Sequence, residues 1–200
     1  TTGAFTGTLT GHAGLSAAAL GLTVFGRTTV LVRTEGDVFE ALKDMPTMVD
    51  CATMGYLLPP IRYPDGHSYL KLGVGTPYDP RCDTLASLQA CFKGPGAASD
   101  RDAFTARLKT LFPVLAGCEH WHTDTCAVTK TASGLPIIDF AGDDRVAVAV
   151  GGNGKGAKGS DEWGRIAADL VAGRAWSSPV AREKLAFPGA RATAPAVAAQ

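Results

Sequence analysis

An excess of charge of one sign is the first thing this sequence lacks: 19 Lys and Arg residues cancel 19 Asp and Glu residues across 200 positions. Without a basic block there is no electrostatic reason for nucleic acid or an anionic membrane surface to be the main partner. Long apolar runs are missing too. Val146–Val150 soon meets glycines and Lys155, far short of the roughly 20 residues that a membrane helix needs. The opening TTGAFTGTLTGHAG has neither a positive cluster nor an apolar stretch, so no export signal reads there. The 5 cysteines, Cys51, Cys82, Cys91, Cys118 and Cys126, are odd in number and irregularly spaced. That speaks against a disulfide framework and for a reducing, cytoplasmic setting. Aromatics are sparse at 8%, yet 46% of residues are hydrophobic and only 19% charged, which is a globular balance. The length suits one ordinary domain or two small ones and can bury a core without metal or disulfide staples.

Turn signals and periodicity divide the chain. Thr28–Thr34 is β-branched and bounded by glycines, which predicts a strand, and Asp37–Lys43 a short helix or turn. Met54–Pro60 and Ser68–Val74 read as a hairpin around the Pro64-Asp65-Gly66 turn. Ser99-Asp100 is expected to cap a helix running through Phe112, with Phe104, Leu108 and Leu111 on one face and Pro113 as its stop. His120–Thr131 and Leu135–Phe140 follow as strands, and Arg145–Val150 as a short strand of the kind buried on both faces. Next comes the glycine-rich stretch GGNGKGAKGSDEWG, Gly151 to Gly164, and then a helix expected to open at Ser160 and close at Gly173. From Trp176 the sequence becomes an Ala/Pro-rich tail, with ARATAPAVAAQ loosely ordered.

Three features carry possible chemistry. Gly154, Gly156 and Gly159 match G-x-G-x-x-G, and a strand, glycine turn and helix start together make an anion site. The Rossmann fingerprint, however, needs a downstream βαβ unit and an acid about 20 positions on for the ribose, and here the chain runs into an Ala/Pro-rich tail. The stretch is therefore a tight connection or a cofactor-facing loop. Cys118, His120, His122 and Cys126 would share one face of a strand, a possible zinc set with an uncommon spacing, or simply packed and exposed single side chains. Lys71, inside the apolar YLKLGVG, is either an edge residue snorkelling to water or a positive charge held beside a cofactor.

In family order, four segments resemble the C-terminal half of the flavin-dependent amine oxidases of the sarcosine oxidase and D-amino-acid oxidase superfamily. Thr2-Gly3-Ala4-Phe5 resembles the end of a strand carrying A-T-G-A, and Tyr69–Gly73 the substrate-domain strand with L-K-x-G. Cys126–Asp139 resembles C-x-x-T-K-T followed by I-I-D, and RVAVAVGGNGKGAKGS the closing strand and flavin-side loop. The resemblance implies a mixed α/β fold: the C-terminal part of a glutathione-reductase-type FAD-binding fold, plus a substrate domain with a mostly antiparallel sheet. It divides the chain into residues 1–25 returning from the FAD domain, 26–122 binding substrate, 123–175 completing the FAD domain, and a tail at 176–200.

The resemblance also implies roles. Cys126 falls where relatives attach FAD covalently, as a thioether, beside the dimethylbenzene edge; the alternative is a small buried cysteine with FAD held non-covalently. Lys71 would be the catalytic cation near the flavin N5 that helps oxygen accept an electron. Gly151, Gly152, Asn153, Gly154, Lys155, Gly156 and Lys158 would form the flavin-facing loop, with Lys158 stabilising negative charge on the reduced ring. Val128 and Gly75 stand where the sarcosine enzymes have a tyrosine and a histidine, which removes the basis for assuming sarcosine itself as substrate. Arg33 and Arg62 are candidates for a substrate carboxylate. The pyrophosphate-binding unit belongs before Thr1, so an N-terminal FAD-binding chain or segment is expected as partner. The expected reaction is oxidation of a C–N bond in an amine or amino acid, the imine then hydrolysing and oxygen yielding hydrogen peroxide. Two rivals are a hydrolase with Thr1 as N-terminal nucleophile and a non-catalytic scaffold of the same fold.

Overall fold

The computed structural model describes residues 3–11, 14–141 and 145–188. Thr1, on which the hydrolase reading depends, lies outside them, as do Thr2 and residues 189–200 of the expected tail. The helices are α1 Thr6–Gly11, α2 Gly36–Leu42, α3 Leu85–Lys93, α4 Ala98–Leu111 and α5 Gly156–Val171. The strands are β1 Leu22–Arg33, β2 Met48–Asp50, β3 Gly55–Arg62, β4 Ser68–Gly73, β5 Trp121–Thr131, β6 Ile137–Phe140 and β7 Ala147–Val150. The protein is a mixed α/β fold whose larger sheet has the order β2-β3-β4-β1-β5 and whose β2–β3, β3–β4 and β4–β1 pairings are all antiparallel. Its contacts divide it into two compact units.

One unit comprises Phe25–Cys82 and Ala86–Ala127. Alternation along the strands sends Val30, Val32, Leu57, Leu70 and Leu72 to one sheet face, where they pack with Phe104 and Leu108 of α4 and with Leu115. The i, i+4, i+7 spacing of Phe104, Leu108 and Leu111 supplies the helix side of this core, and the helix ends before Pro113 as expected. Its start differs: the N-cap is Ala97, with no side-chain cap, and the Ala97 N–H donates to Thr28 Oγ1 at 2.8 Å. A tertiary acceptor thus takes one of the N–H groups left open at the helix start. β1 extends past Gly26 because that glycine leaves room for the Cys91 sulfur, 2.5 Å from where a Cβ would stand. Lys71 lies on β4 with strands on both sides, so it is not an edge residue.

A bidentate ion pair ties the end of β2 to α4. Arg107 Nε and Nη2 donate to Asp50 at 2.7 and 2.6 Å, and Thr53 Oγ1 adds a bond at 2.8 Å. The Arg107 guanidinium holds the Asp50 carboxyl well below the usual carboxylate range. A carboxyl depressed by folding contributes stability above its unfolded value of about 4 and loses that contribution as pH falls below it. Asp50→Asn should therefore lower stability at neutral pH and leave a shallower decline below about pH 4 than the parent shows. Chemical denaturation at stepped pH checks this; parallel curves would remove the pair's role.

The other unit gathers the described parts of Thr1–Val24, Asp83–Leu85 and Val128–Gln200. The start is helical, a 3-10 turn at Gly3–Phe5 leading into α1, not the strand end expected from Thr2–Phe5. Among the described strands β7 pairs only with β6, antiparallel, and it exposes Ala147, so it is not a strand buried on both faces. α5 begins at Gly156, one turn before the expected Ser160. Gly159 belongs inside it because the Trp163 indole lies where a Cβ would project, 2.7 Å from that position. Beyond α5 the described chain stays packed. Leu185 joins Ile138, Ile166 and Leu170 in a core, its carbonyl accepts the Ile138 N–H at 2.8 Å, and Phe187 N–H donates to Asp139 at 3.1 Å.

Candidate functional site

The face of the larger sheet opposite the Leu70 and Leu72 core gathers the candidate site residues of this unit. On β4 it presents Tyr69, Lys71 and Gly73; strand pairing sets Leu31 and Leu58 on either side of Lys71, and Thr29 and Tyr56 on either side of Gly73. Lys71 is thus half-buried on an interior strand whose backbone is held from both sides, a rigid mount for a charge. Gly73 makes room for an aromatic wall. A Cβ there would run into the Tyr56 ring, which lies across the glycine. Burial pushes the Tyr56 hydroxyl above its ordinary value, keeping it a neutral donor.

β5 contributes to the same face. The His122 ring meets Tyr69 edge-on at 4.8 Å, and Tyr69 meets Tyr63 edge-on at 5.3 Å. Cys126 stands four residues beyond His122, hence on that side of the strand. Burial pushes its thiol up, while the nearby Lys71 and Arg27 cations pull it back toward thiolate. Lys71, Arg27, Tyr56 and Cys126 therefore form one electrostatic neighbourhood. The zinc set does not assemble. Cys118 precedes the strand and packs against the apolar core, away from His122, and among the described residues no group of three or more potential ligands is placed to hold a metal.

In the other unit, Gly151 to Gly154 turns sharply between β7 and α5. Gly151, Asn153 and Gly154 have φ of 80°, 52° and 73°, the left-handed region that favours glycine. Asn153 tolerates it because its side chain is fully used. Its Nδ2 donates to Gly151 O at 2.6 Å, its Oδ1 accepts the Thr131 N–H at 2.9 Å, and its own N–H donates to Thr129 O at 2.9 Å. Asn153 thus clips the loop to the end of β5, and its amide is not available to face a ligand. Gly152 and Gly156 pass closely, with Gly156 Cα 3.4 Å from where a Gly152 Cβ would stand. Lys155 precedes α5 as its N-cap; no side chain caps the helix, and its first turn has no acid. Among the described residues the N–H groups of Gly156 and Ala157 have no hydrogen-bond acceptor; they lie at the positive end of the helix, with the exposed Lys155 and Lys158 beside them in sequence.

Sequence reasoning missed Tyr56 and Arg27. An aromatic residue opposite a glycine across a hairpin is a recognisable signal, but drawing that pair requires the register. Pro59 and Pro60 interrupt it, since the β3–β4 pairing shifts by one residue between Leu58 and Ile61. The space above Gly75 holds the Arg27 guanidinium.

No family model matches this chain, and no curated protein matches it. Solved structures do. A modified fructosyl peptide oxidase from Aspergillus nidulans aligns over 94% of this chain with a TM-score of 0.71 at 16% identity. Fructosyl peptide oxidase from E. terrenum aligns over 88% with a TM-score of 0.67 at 16% identity. Fructosyl amine:oxygen oxidoreductase (Amadoriase I) from Aspergillus fumigatus aligns over 92% with a TM-score of 0.62 at 19% identity. This chain spans 44%, 41% and 41% of those chains, respectively. The fold is therefore that of somewhat under half of a fructosyl amine oxidase.

Proposed function

We propose that this chain supplies the substrate face and the closing loop of an FAD-dependent oxidoreductase that oxidises a C–N bond in an amine or amino acid. The observation that carries the reading is the Lys71 face: a cation on a rigid interior strand, walled by Tyr56, in a fold shared with oxidases of fructosyl amines and peptides. The adenine and ribose end of FAD is assigned to an N-terminal chain or segment outside these residues.

The residues present suit a flavin. An uncapped helix start with two lysines offers donors to an electron-rich ring edge, and the Gly151–Gly154 turn brings backbone close without side chains. When bound, FAD supplies the two-electron acceptor for the hydride leaving the carbon next to nitrogen. Lys71 holds positive charge where oxygen is reduced toward hydrogen peroxide. Tyr56 bounds the substrate space and offers a neutral hydroxyl. Gly151, Gly152, Gly154, Lys155, Gly156 and Lys158 form the ring-facing loop, with Asn153 setting its shape. Cys126 stands ready for a thioether only once its thiolate forms, which burial opposes and Lys71 favours.

The purified chain, together with whatever polypeptide accompanies it, should be yellow, and amine substrates should bleach it anaerobically. Colourless material that turns over amines alone would sink the oxidase reading. After acid precipitation, flavin retained on this chain and lost in Cys126→Ala shows the covalent link; flavin freed into the supernatant shows a non-covalent site.

A further inference from the structure

Arg27 is set apart by three features. Its place on β1 is two residues before Thr29, which pairs with Gly73, so it shares the sheet face of Lys71. Its guanidinium fills the space above Gly75, where a Cβ would stand 2.6 Å from Arg27 Cζ. Its only side-chain hydrogen bond among the described residues runs from Nε to Asp79 Oδ2 at 2.9 Å.

Asp79 is itself fully engaged. Its other oxygen accepts the Thr76 N–H at 3.0 Å and the Thr76 hydroxyl at 2.9 Å, and its side chain is 5% exposed against 20% for Arg27. The carboxylate thus grips the guanidinium by one edge and orients it. A guanidinium has five donors, and the two Nη groups present the fork that matches a carboxylate. Because Asp79 balances the charge of Arg27, affinity there comes from this geometry, while Lys71 adds net positive charge to the face. The two arginines suggested by the sequence are placed differently. Arg33 donates from Nε to Glu35 at 2.7 Å, and Arg62 lies exposed at the end of β3.

We propose that Arg27, held by Asp79 over Gly75, is the anchor for the carboxylate of the substrate, gripping it bidentately through Nη1 and Nη2. That the anion is a substrate rests on the oxidase reading; the anion site itself does not. The site would direct the enzyme toward amino acids and away from simple amines.

The chain, with any partner that copurifies, is titrated calorimetrically with butyrate and with its uncharged isostere butyramide. Butyrate should bind and butyramide should not. Arg27→Met should weaken butyrate binding by roughly 10- to 100-fold. Gly75→Ala keeps the charge but displaces the guanidinium and should cause a similar loss, and Arg27→Lys should recover only part of the affinity. In turnover, Arg27→Met should raise KM for an amino acid by a like factor, far more than KM for the matching amine. Equal butyrate binding in the parent and in Arg27→Met, with unchanged circular dichroism, overturns the proposal, as does tight butyramide binding. Arg27-dependent butyrate binding in a protein that carries no flavin would instead uphold the anion site and overturn the oxidase reading.

Discussion

Lys71→Met is expected to slow reoxidation of the reduced enzyme by oxygen roughly 10²- to 10³-fold, while slowing reduction by substrate far less. Methionine keeps the length and apolar body of the lysine side chain, so the packing beside Leu31 and Leu58 is disturbed little. The β4 pairing is a backbone property and survives. What disappears is a fixed positive charge at half-buried depth, where water screens poorly and a unit charge on reduced oxygen is felt strongly. Stopped-flow separation of the two half-reactions reads the effect directly. Equal slowing of both would remove the role assigned to Lys71 and return it to the ordinary position of a lysine snorkelling from a sheet.

Leu108→Ala should cost about 3–5 kcal/mol in chemical denaturation, enough to unfold much of a marginally stable population. Leu108 is 0% exposed and sits in the core formed by Val30, Val32, Leu70, Leu72 and Phe104. Truncation there loses both the burial of the methyl groups and the contacts lining the void they leave. The position also matters for chemistry. Leu70 and Leu72 face this core while Lys71, between them, faces the other way, so the strand that anchors the core is also the strand that aims the cation. A measured loss below about 1 kcal/mol would show that α4 does not clamp the sheet. Leu9→Ala, at a side chain 50% exposed, is the matching surface control and should change stability by less than about 0.5 kcal/mol.

Much of the fold was legible because it is written in local chemistry. The β-branched run in β1, the Pro64-Asp65-Gly66 turn, the spacing of Phe104, Leu108 and Leu111, and the Pro113 stop each act within a few residues. What failed locally was decided at a distance. α5 starts at Gly156 and carries Gly159 inside it, covered by the Trp163 indole, and an open N–H at the start of α4 is taken by Thr28, 69 positions away in sequence. A short α3 and the three-residue β2 carried too weak a periodic signal to be distinguished from connection.

The candidate site was legible in type and incomplete in membership. Lys71, Cys126 and the glycine loop are candidates by resemblance, and the structure puts Lys71 on an interior strand instead of the edge strand that pattern favoured. By itself, the sequence determined that this is a charge-balanced globular chain of mixed helices and strands, with a lysine inside an apolar strand and a glycine turn before a helix. Only the tertiary structure decided which side chains share a face. The bulge at Pro59 and Pro60 shifts β3 by one residue, placing Tyr56 opposite Gly73 and beside the Lys71 face; without the shift it would lie opposite Val74 on the core side. Alternate residues of a strand point in opposite directions, so one unpaired residue exchanges the faces of everything beyond it. Arg27 and Asp79 meet for a like reason: 52 positions apart, they are joined by strand pairing that no local pattern records.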